Sequence, residues 1–199
     1  MQRFVLSCFA LLVFAFAILG SGELPPAVVP APPQLANVTA SAQDVTGTTT
    51  LPQNTYAVFK VIDGDTISII KDNKTVTLRL IGLDTPETVD PRKPVQCFGK
   101  AASDKAKELL TGKTVRLELD PSQGLLDKYR RTLAYVFLRD GTLFNEYMIA
   151  EGYGHEYTYN LPYKYQKEFK EAEARARAEK RGLWADDTCA GDTKRPAAS

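Results

Sequence analysis

Acidic residues are grouped in two short segments of this 199-residue chain, Asp63-Gly64-Asp65 and Asp84-Thr85-Pro86-Glu87. A turn predicted at Asp72-Asn73 reverses the chain between them, so both segments should lie at one end of a hairpin. Three or four carboxylates that converge there would repel one another unless a cation lay between them. Oxygen donors without His or Cys suit a hard ion such as Ca²⁺ or Mg²⁺. The spacing therefore indicates a metal site, although each segment by itself is also typical of a simple turn.

Basic and aromatic residues form a second group. Arg79 lies on the predicted hairpin, and Arg131 ends the basic run Lys128-Tyr129-Arg130-Arg131. Guanidinium groups bind phosphate through paired hydrogen bonds and stabilise charge that develops on a phosphoryl group. Tyrosines are concentrated in the same part of the chain, at positions 129, 153, 157, 159, 163 and 165. Aromatic rings beside cations are typical of grooves for single-stranded nucleic acid, although core packing explains some of these rings equally well.

The composition excludes several kinds of site. One histidine cannot form a two-histidine acid–base pair or a multi-histidine metal site, and three cysteines cannot form a four-cysteine zinc site. His155 has no evident catalytic partner and is interpreted as structural or exposed. Cys97 and Cys189 form an even pair beyond the N-terminal segment, which in an exported protein favours a disulfide. The alternative is a catalytic thiol, for which His155 would have to serve as the base.

The elements that would position these groups are short. Five segments have the β-branched content or the alternation of strands: 56–62, 66–71, 75–81, 114–119 and 133–138. Helical spacing predicts one helix over 98–110, a second over 143–150, and a third that begins at Pro162 and ends at Gly182. In the third helix, Tyr165, Phe169, Ala172 and Ala176 form the apolar stripe. Five strands with interleaved helices predict an α+β fold, a small five-stranded barrel of the OB type.

The N-terminal part has a different composition. Residues 1–22 combine Arg3, an uncharged apolar run over 4–19 and small residues at 20–22, a pattern typical of a signal peptide. The apolar run is shorter than the roughly 20 residues that span a bilayer, and an uncleaved anchor is the alternative interpretation. Residues 23–54 are rich in Pro, Thr, Ser and Ala, which predicts a disordered linker. Without residues 1–54, which hold one basic and two acidic residues, the net charge changes only from +1 to +2, so polyanion binding must depend on local clustering.

Several of these motifs together resemble the thermonuclease (staphylococcal nuclease) family. They are Val61-Ile62-Asp63-Gly64-Asp65-Thr66, Arg79-Leu80, Asp84-Thr85-Pro86-Glu87-Thr88, Asp127-Lys128-Tyr129, Leu133-Ala134-Tyr135 and Gly182-Leu183-Trp184. The likeness extends from about residue 56 to residue 187 and implies a catalytic domain over 55–187 with a tail over 188–199. It also implies a five-stranded OB-type barrel with three helices, and calcium-dependent hydrolysis of DNA and RNA to 3′-phosphorylated products.

The resemblance implies a role for each matching residue. Asp65 and Asp84 would be carboxylate ligands of Ca²⁺, with the Thr85 carbonyl as a further ligand and Asp63 supporting the metal shell through water. Glu87 would be the general base, and Arg79 and Arg131 would bind the phosphate and stabilise its transition state. Tyr129, Tyr157 and Lys93 would contact the substrate.

One position departs from the family pattern. Arg130 and Thr132 flank Arg131, and the family commonly has glycine on the N-terminal side, at the position of Arg130. This change affects the expected rate or substrate preference more than the reaction type. The functional prediction is an exported nuclease, secreted or associated with the cell surface, with little sequence specificity. It would be a monomer without a stable protein partner, and would contact a membrane only through an uncleaved N-terminal segment. The alternative is a non-catalytic OB-type module that binds nucleic acid.

Overall fold

Five strands form a closed barrel in the computed structural model, which describes residues 53–92 and 94–194. The predicted signal segment 1–22, all but the last two residues of the predicted linker 23–54, and Lys93 lie outside the described residues. The barrel strands are β1 (Thr55–Asp63), β2 (Thr66–Lys71), β3 (Lys74–Leu80), β5 (Thr114–Glu118) and β6 (Thr132–Phe137), paired in the order β1-β2-β3-β6-β5. The predicted five-stranded barrel is confirmed.

Three helices and two very short strands complete the fold. The helices are α1 (Gly99–Leu110), α2 (Phe144–Ala150) and α3 (Gln166–Ala178), and a 3₁₀ helix follows at Gly182–Trp184. β4 (Leu83–Asp84) pairs with β7 (His155–Glu156) beside the barrel. β4 and β7 could not be predicted from the sequence, because two residues are too few to show the alternation of apolar and polar residues in a strand.

The β2–β3 hairpin has the predicted geometry. Asp72 and Asn73 both have positive φ, 49° and 57°, as a two-residue primed turn requires. Lys71 pairs with Lys74, and Thr66 at the other end pairs with Arg79. The Leu80 N–H donates to the Asp65 carbonyl at 3.0 Å. The hairpin therefore brings the end of β3 beside Asp65, as its turn predicted.

The core fills the barrel and the space under the helices. Its largest fully buried side chains include Ile67, Ile69, Leu78, Tyr135, Phe144, Met148 and Phe169. Fully burying an apolar side chain of this size stabilises the fold by about 1.5–3 kcal/mol. The predicted stripe of α3 is buried at Phe169, Ala172 and Ala176, while Tyr165 is partly buried against the core. The apolar faces of the helices therefore pack against the outside of the barrel.

The third helix begins four residues later than predicted, at Gln166 and not at Pro162. The reason is a long-range hydrogen bond, since the Lys164 N–H donates to Asp120 Oδ2 at 2.9 Å. The buried Tyr163 donates its hydroxyl to Glu156 Oε1 at 2.9 Å. These bonds hold the segment before α3 against the barrel in a non-helical conformation.

A disulfide joins Cys97 and Cys189, which are 92 residues apart in sequence, with a Cα–Cα distance of 5.9 Å. Both cysteines are buried in a small cluster with Leu183, and Phe98 and Trp184 pack against it. The bond connects the start of α1 to the segment after the 3₁₀ helix. In the described part of the chain, no helix combines the length and the apolar character needed to cross a membrane.

Candidate active site

The two acidic segments are in direct contact. Asp65 Oδ2 accepts hydrogen bonds from the Thr85 N–H at 2.9 Å and from the Thr85 hydroxyl at 3.2 Å. A Cβ on Gly64 would lie 2.7 Å from Thr85 Cγ2, so only glycine permits this approach. The glycine between Asp63 and Asp65 is thus required by the packing of Thr85 against it. The predicted meeting of the two segments is confirmed.

Arg79 lies between two of the predicted metal ligands. Its Nη1 is 2.7 Å from Asp65 Oδ2 and its Nη2 is 2.8 Å from Asp84 Oδ1. Nη1 also donates to the Leu83 carbonyl at 2.8 Å. Burial raises the pKa of Asp84, and the charge of Arg79 opposes that shift. The two carboxylates therefore already face a shared cationic group.

Arg131 is held by Asp127, a residue that the sequence analysis did not include among the site residues. Asp127 Oδ2 is 2.6 Å from Arg131 Nε, and Asp127 Oδ1 accepts the N–H groups of Tyr129 and Arg131 at 2.8 and 2.9 Å. Burial by itself would raise the pKa of Asp127, but the backbone N–H and the guanidinium of Arg131 together lower it. An Asp followed by a tight turn was the available sequence signal, because Asp side chains cap such turns.

Thr66 connects the two arginines. Arg131 Nη1 donates to Thr66 Oγ1 at 3.3 Å, and Thr66 Oγ1 donates to Asp65 Oδ1 at 2.9 Å. Because Asp65 also pairs with Arg79, a chain of polar contacts runs from one guanidinium to the other. Thr66 belongs to the motif at 61–66, and its sequence position alone predicts no role for it.

Both arginines line one cleft of about 490 Å³, here called the arginine cleft. Its wall also contains Asp84, Asp127, Lys128, Tyr129, Tyr157 and Tyr159. Tyr129 and Tyr157 are exposed, with 68% and 44% of their surface accessible. The guanidinium of Arg131 lies 5.3 Å from the centroid of the Tyr129 ring. The structure thus brings two predicted phosphate ligands and two predicted stacking rings to one concave surface.

Asp63, Asp65 and Glu87, here called the acidic corner, do not line that cleft. Asp63 Oδ1 accepts hydrogen bonds from the Gly64 N–H and the Thr88 hydroxyl, both at 2.9 Å. Burial raises the pKa of Asp63 to about 6, and the charges of Asp65 and Glu87 add to this shift. Glu87 Oε1 accepts the N–H groups of Val89 and Asp90 at 2.7 and 3.2 Å. The acidic corner thus adjoins the arginine cleft through Asp65, which also pairs with Arg79.

Among the described residues, no three His, Cys, Asp or Glu side chains are grouped so that they could hold a metal ion. The predicted convergence of three or four carboxylates is therefore not what the structure shows. Two carboxylates, from Asp65 and Asp84, meet at Arg79, whereas Asp63 is turned towards Thr88 and Glu87 towards its own loop. The donor chemistry still fits calcium, because Asp65 and Asp84 bring hard carboxylate oxygens to one cationic group, and Thr85, which binds Asp65, offers a carbonyl oxygen.

His155 has structural contacts and also lies close to the site. Its Nδ1 is 3.5 Å from Glu173 Oε1, and its ring packs edge-on against Trp184 at 4.9 Å. It also pairs with Asp84 between β7 and β4, and its charge lowers the pKa of that carboxyl. The disulfide uses Cys97 and Cys189, so neither is a free thiol in this structure.

Comparison with known proteins gives consistent matches. The family model described as "Staphylococcal nuclease homologue" matches residues 77–186. A thermonuclease of Staphylococcus hyicus is 47% identical over 134 residues, 67% of this chain and 78% of its own. A thermonuclease of Staphylococcus intermedius is 44% identical over 144 residues, 72% of this chain and 80% of its own. Endonuclease YncB of Bacillus subtilis is 39% identical over 126 residues, 63% of this chain and 59% of its own.

Proposed function

The chain belongs to the family of staphylococcal nuclease homologues and is a nuclease, and we propose that it is an exported, calcium-dependent one. In this proposal it hydrolyses phosphodiester bonds of DNA and RNA with little sequence specificity and leaves 3′-phosphorylated products. The observation that carries the proposal is the arrangement of Arg79 and Arg131 on one cleft beside Asp84 and two exposed tyrosines. A cleft with these groups suits a phosphate between two nucleosides.

The arginines bind and stabilise the reacting phosphate. Each guanidinium is held by a carboxylate, Arg79 by Asp65 and Asp84 and Arg131 by Asp127, so little reorganisation is needed when the substrate binds. Preorganised donors of this kind stabilise the charge that builds up on phosphoryl oxygens as water attacks phosphorus. Tyr129 and Tyr157 stack on the flanking bases and contribute affinity without reading the sequence.

Glu87 accepts a proton from the attacking water as the new P–O bond forms and the bond to the 5′-oxygen breaks. The departing 5′-oxygen takes a proton from solvent and leaves as a hydroxyl group. Among the described residues its Oε1 has two N–H donors and its Oε2 has none, which leaves an oxygen for water. A general base must lie within hydrogen-bond reach of the proton it removes, directly or through water. Asp65, Asp84 and the Thr85 carbonyl would hold Ca²⁺, with Asp63 acting through water. The ion would supply electrophilic stabilisation of the phosphoryl oxygens.

Two features support export. The Cys97–Cys189 disulfide is typical of proteins that work outside the reducing cytosol. The composition of residues 1–22 matches a signal segment, cleaved or kept as an anchor, and residues 23–54 would then connect it to a catalytic domain over 55–187 with a tail over 188–199. The nuclease would act as a monomer, with nucleic acid as its substrate and no stable protein partner.

The test is cleavage of single-stranded DNA by the full chain with Ca²⁺, with a chelator, and with Glu87→Gln. Glu168→Gln is a matched control, since Glu168 is an exposed residue of α3 outside the cleft. We expect cleavage by the native protein and the control in Ca²⁺, and losses of at least about 100-fold with the chelator or Glu87→Gln. Full activity in the chelator would contradict the metal requirement. Tight binding of DNA without cleavage would favour the non-catalytic module.

A further inference from the structure

We infer that Gln96 and the Cys97–Cys189 disulfide together position Glu87 for the nuclease reaction, an inference that rests on the proposed function. Gln96 binds both polar groups of the Glu87 main chain. Its Oε1 accepts the Glu87 N–H at 2.8 Å, and its own N–H donates to the Glu87 carbonyl at 3.0 Å. One residue nine positions further along the chain therefore determines where the backbone of Glu87 lies.

The segment around Glu87 is also held from two other sides. Thr88 donates its hydroxyl to Asp63 Oδ1 at 2.9 Å, which connects the segment to the end of β1. The start of α1 packs directly on it, because a Cβ on Gly99 would lie 2.7 Å from Thr88 Cγ2 and 3.0 Å from the Pro86 carbonyl oxygen. Gln96 lies between these two supports, three residues before Gly99. Its hydrogen bonds close the loop whose first residue is Glu87.

The disulfide anchors the residue next to Gln96. Cys97 is bonded to Cys189, which is fully buried beside Leu183. The segment after the 3₁₀ helix thus holds the end of the loop, and so restricts where Gln96 can place its amide. Fixing the ends of a loop reduces the number of conformations its residues can adopt. A displacement of about 1 Å in a reacting group can cost about 100-fold in rate, so this restriction has a kinetic consequence.

The first experiment compares Gln96→Met, which removes the acceptor oxygen, with Gln96→Glu, which keeps it. On single-stranded DNA with saturating Ca²⁺, we expect Gln96→Met to lower kcat by about 10- to 100-fold with KM unchanged within twofold. Gln96→Glu should keep kcat within threefold of the native value. In the Glu87→Gln background, Gln96→Met should cause no further loss, because a residue that acts through Glu87 has nothing left to position.

The second experiment removes the crosslink with Cys97→Ser/Cys189→Ser. Val115→Ala, a fully buried position on β5 away from the loop, controls for lost stability. At a temperature where circular dichroism shows both proteins folded, the cysteine variant should have a lower kcat and the control a native one. Equal losses in both variants would overturn the role of the disulfide.

Amide hydrogen exchange distinguishes failure of this inference from failure of the proposed function. Slow exchange at the Glu87 N–H should be lost in Gln96→Met and kept in Gln96→Glu, whether or not the protein cleaves DNA. Unchanged exchange in Gln96→Met would overturn the inference, as would an equal kcat loss in the native and Glu87→Gln backgrounds. Full activity of Glu87→Gln would instead contradict the proposed role of Glu87 as the general base. The exchange rate of the Glu87 N–H would still show whether Gln96 fixes the backbone of Glu87.

Discussion

Asp127 in the arginine cleft and Asp63 in the acidic corner each accept three hydrogen bonds, yet their pKa values shift in opposite directions. One of the three donors to Asp127 is the guanidinium of Arg131, which favours the ionised carboxylate. Asp63 has neutral donors, Gly64 and Thr88, and is buried near two further acids. Since the number of hydrogen bonds is the same, the difference lies in the balance against burial. At Asp63 burial outweighs the neutral donors and two nearby acids add to the shift, whereas at Asp127 the backbone N–H groups and the guanidinium of Arg131 outweigh burial.

This contrast shows that the arginine cleft and the acidic corner differ in how their charges are balanced. In the arginine cleft, positive and negative groups are paired before substrate arrives, so the guanidinium groups are already oriented. In the acidic corner, burial raises the pKa of Asp63, and the charges of Asp65 and Glu87 add to that shift. A cation held by Asp65 and Asp84, as proposed above, would lower that pKa, while the oriented guanidinium groups of the cleft suit a phosphate.

The largest effect is expected for Arg131→Lys, which keeps the charge of the cleft but removes the planar guanidinium. We expect kcat on single-stranded DNA to fall by about 100- to 1,000-fold, or about 3–4 kcal/mol, as for loss of one preorganised donor. Arg139→Lys, at an exposed position outside the cleft, is the control and should be unaffected. Activity of Arg131→Lys within threefold of native would show that charge alone suffices, and that the geometry of the cleft is not essential.

The acidic corner is tested next by Asp63→Asn, measured by urea unfolding in a chelator. Because the folded pKa of Asp63, about 6, exceeds the ordinary value of 3.8 for an aspartate, native stability is lost as pH rises between these values. Above about pH 6 the neutral variant should be more stable by about 1–3 kcal/mol, and below about pH 4 the two proteins should be equal. Added Ca²⁺ should reduce the difference. A difference that does not change with pH would show that Asp63 carries no electrostatic penalty.

Asp127→Asn should change the free energy of unfolding in the opposite direction from Asp63→Asn, so that the variant is less stable than the native protein. The pKa of Asp127 is lowered in the folded protein, so its contribution is present above its unfolded pKa and is lost as pH falls through the folded value. At pH 7 we expect a loss of about 1 kcal/mol, a small figure because solvent screens the partly exposed pair with Arg131. The loss should diminish below about pH 4. The same urea series measures it, and a stabilised Asp127→Asn would contradict the comparison with Asp63.

Much of this arrangement could be predicted from the sequence, because its cause is local. The turn at Asp72-Asn73 places Arg79 opposite Thr66 by register alone, and the basic run places Arg131 just before β6. The alternation of apolar residues in the strands predicts the barrel for the same reason.

The parts that could not be predicted depend on packing between distant residues. The acids divide into two networks because Asp63 turns to Thr88, 25 residues away, and Glu87 is held by Gln96. The start of α3 depends on a hydrogen bond between Lys164 and Asp120. Sequence spacing contains no information on such pairings, whereas the Asx turn at Asp127 was visible and was missed.

The smallest effect is expected at Arg130, which lies in sequence between Tyr129 and Arg131 of the arginine cleft but does not line it. Arg130 has φ 63°, in the left-handed region, and its exposed side chain makes no hydrogen bond or ion pair with any described residue. Arg130→Gly should therefore raise the free energy of unfolding by about 0.5–1 kcal/mol by relieving backbone strain. Arg130→Ala removes the same charge but keeps the strain, so it should bring no such gain. Both variants should raise KM for single-stranded DNA by about two- to fivefold at low salt, with kcat unchanged, because one screened charge is lost next to the cleft residues Tyr129 and Arg131. If KM rises in neither variant, the paired arginines inside the cleft supply the attraction for the substrate by themselves.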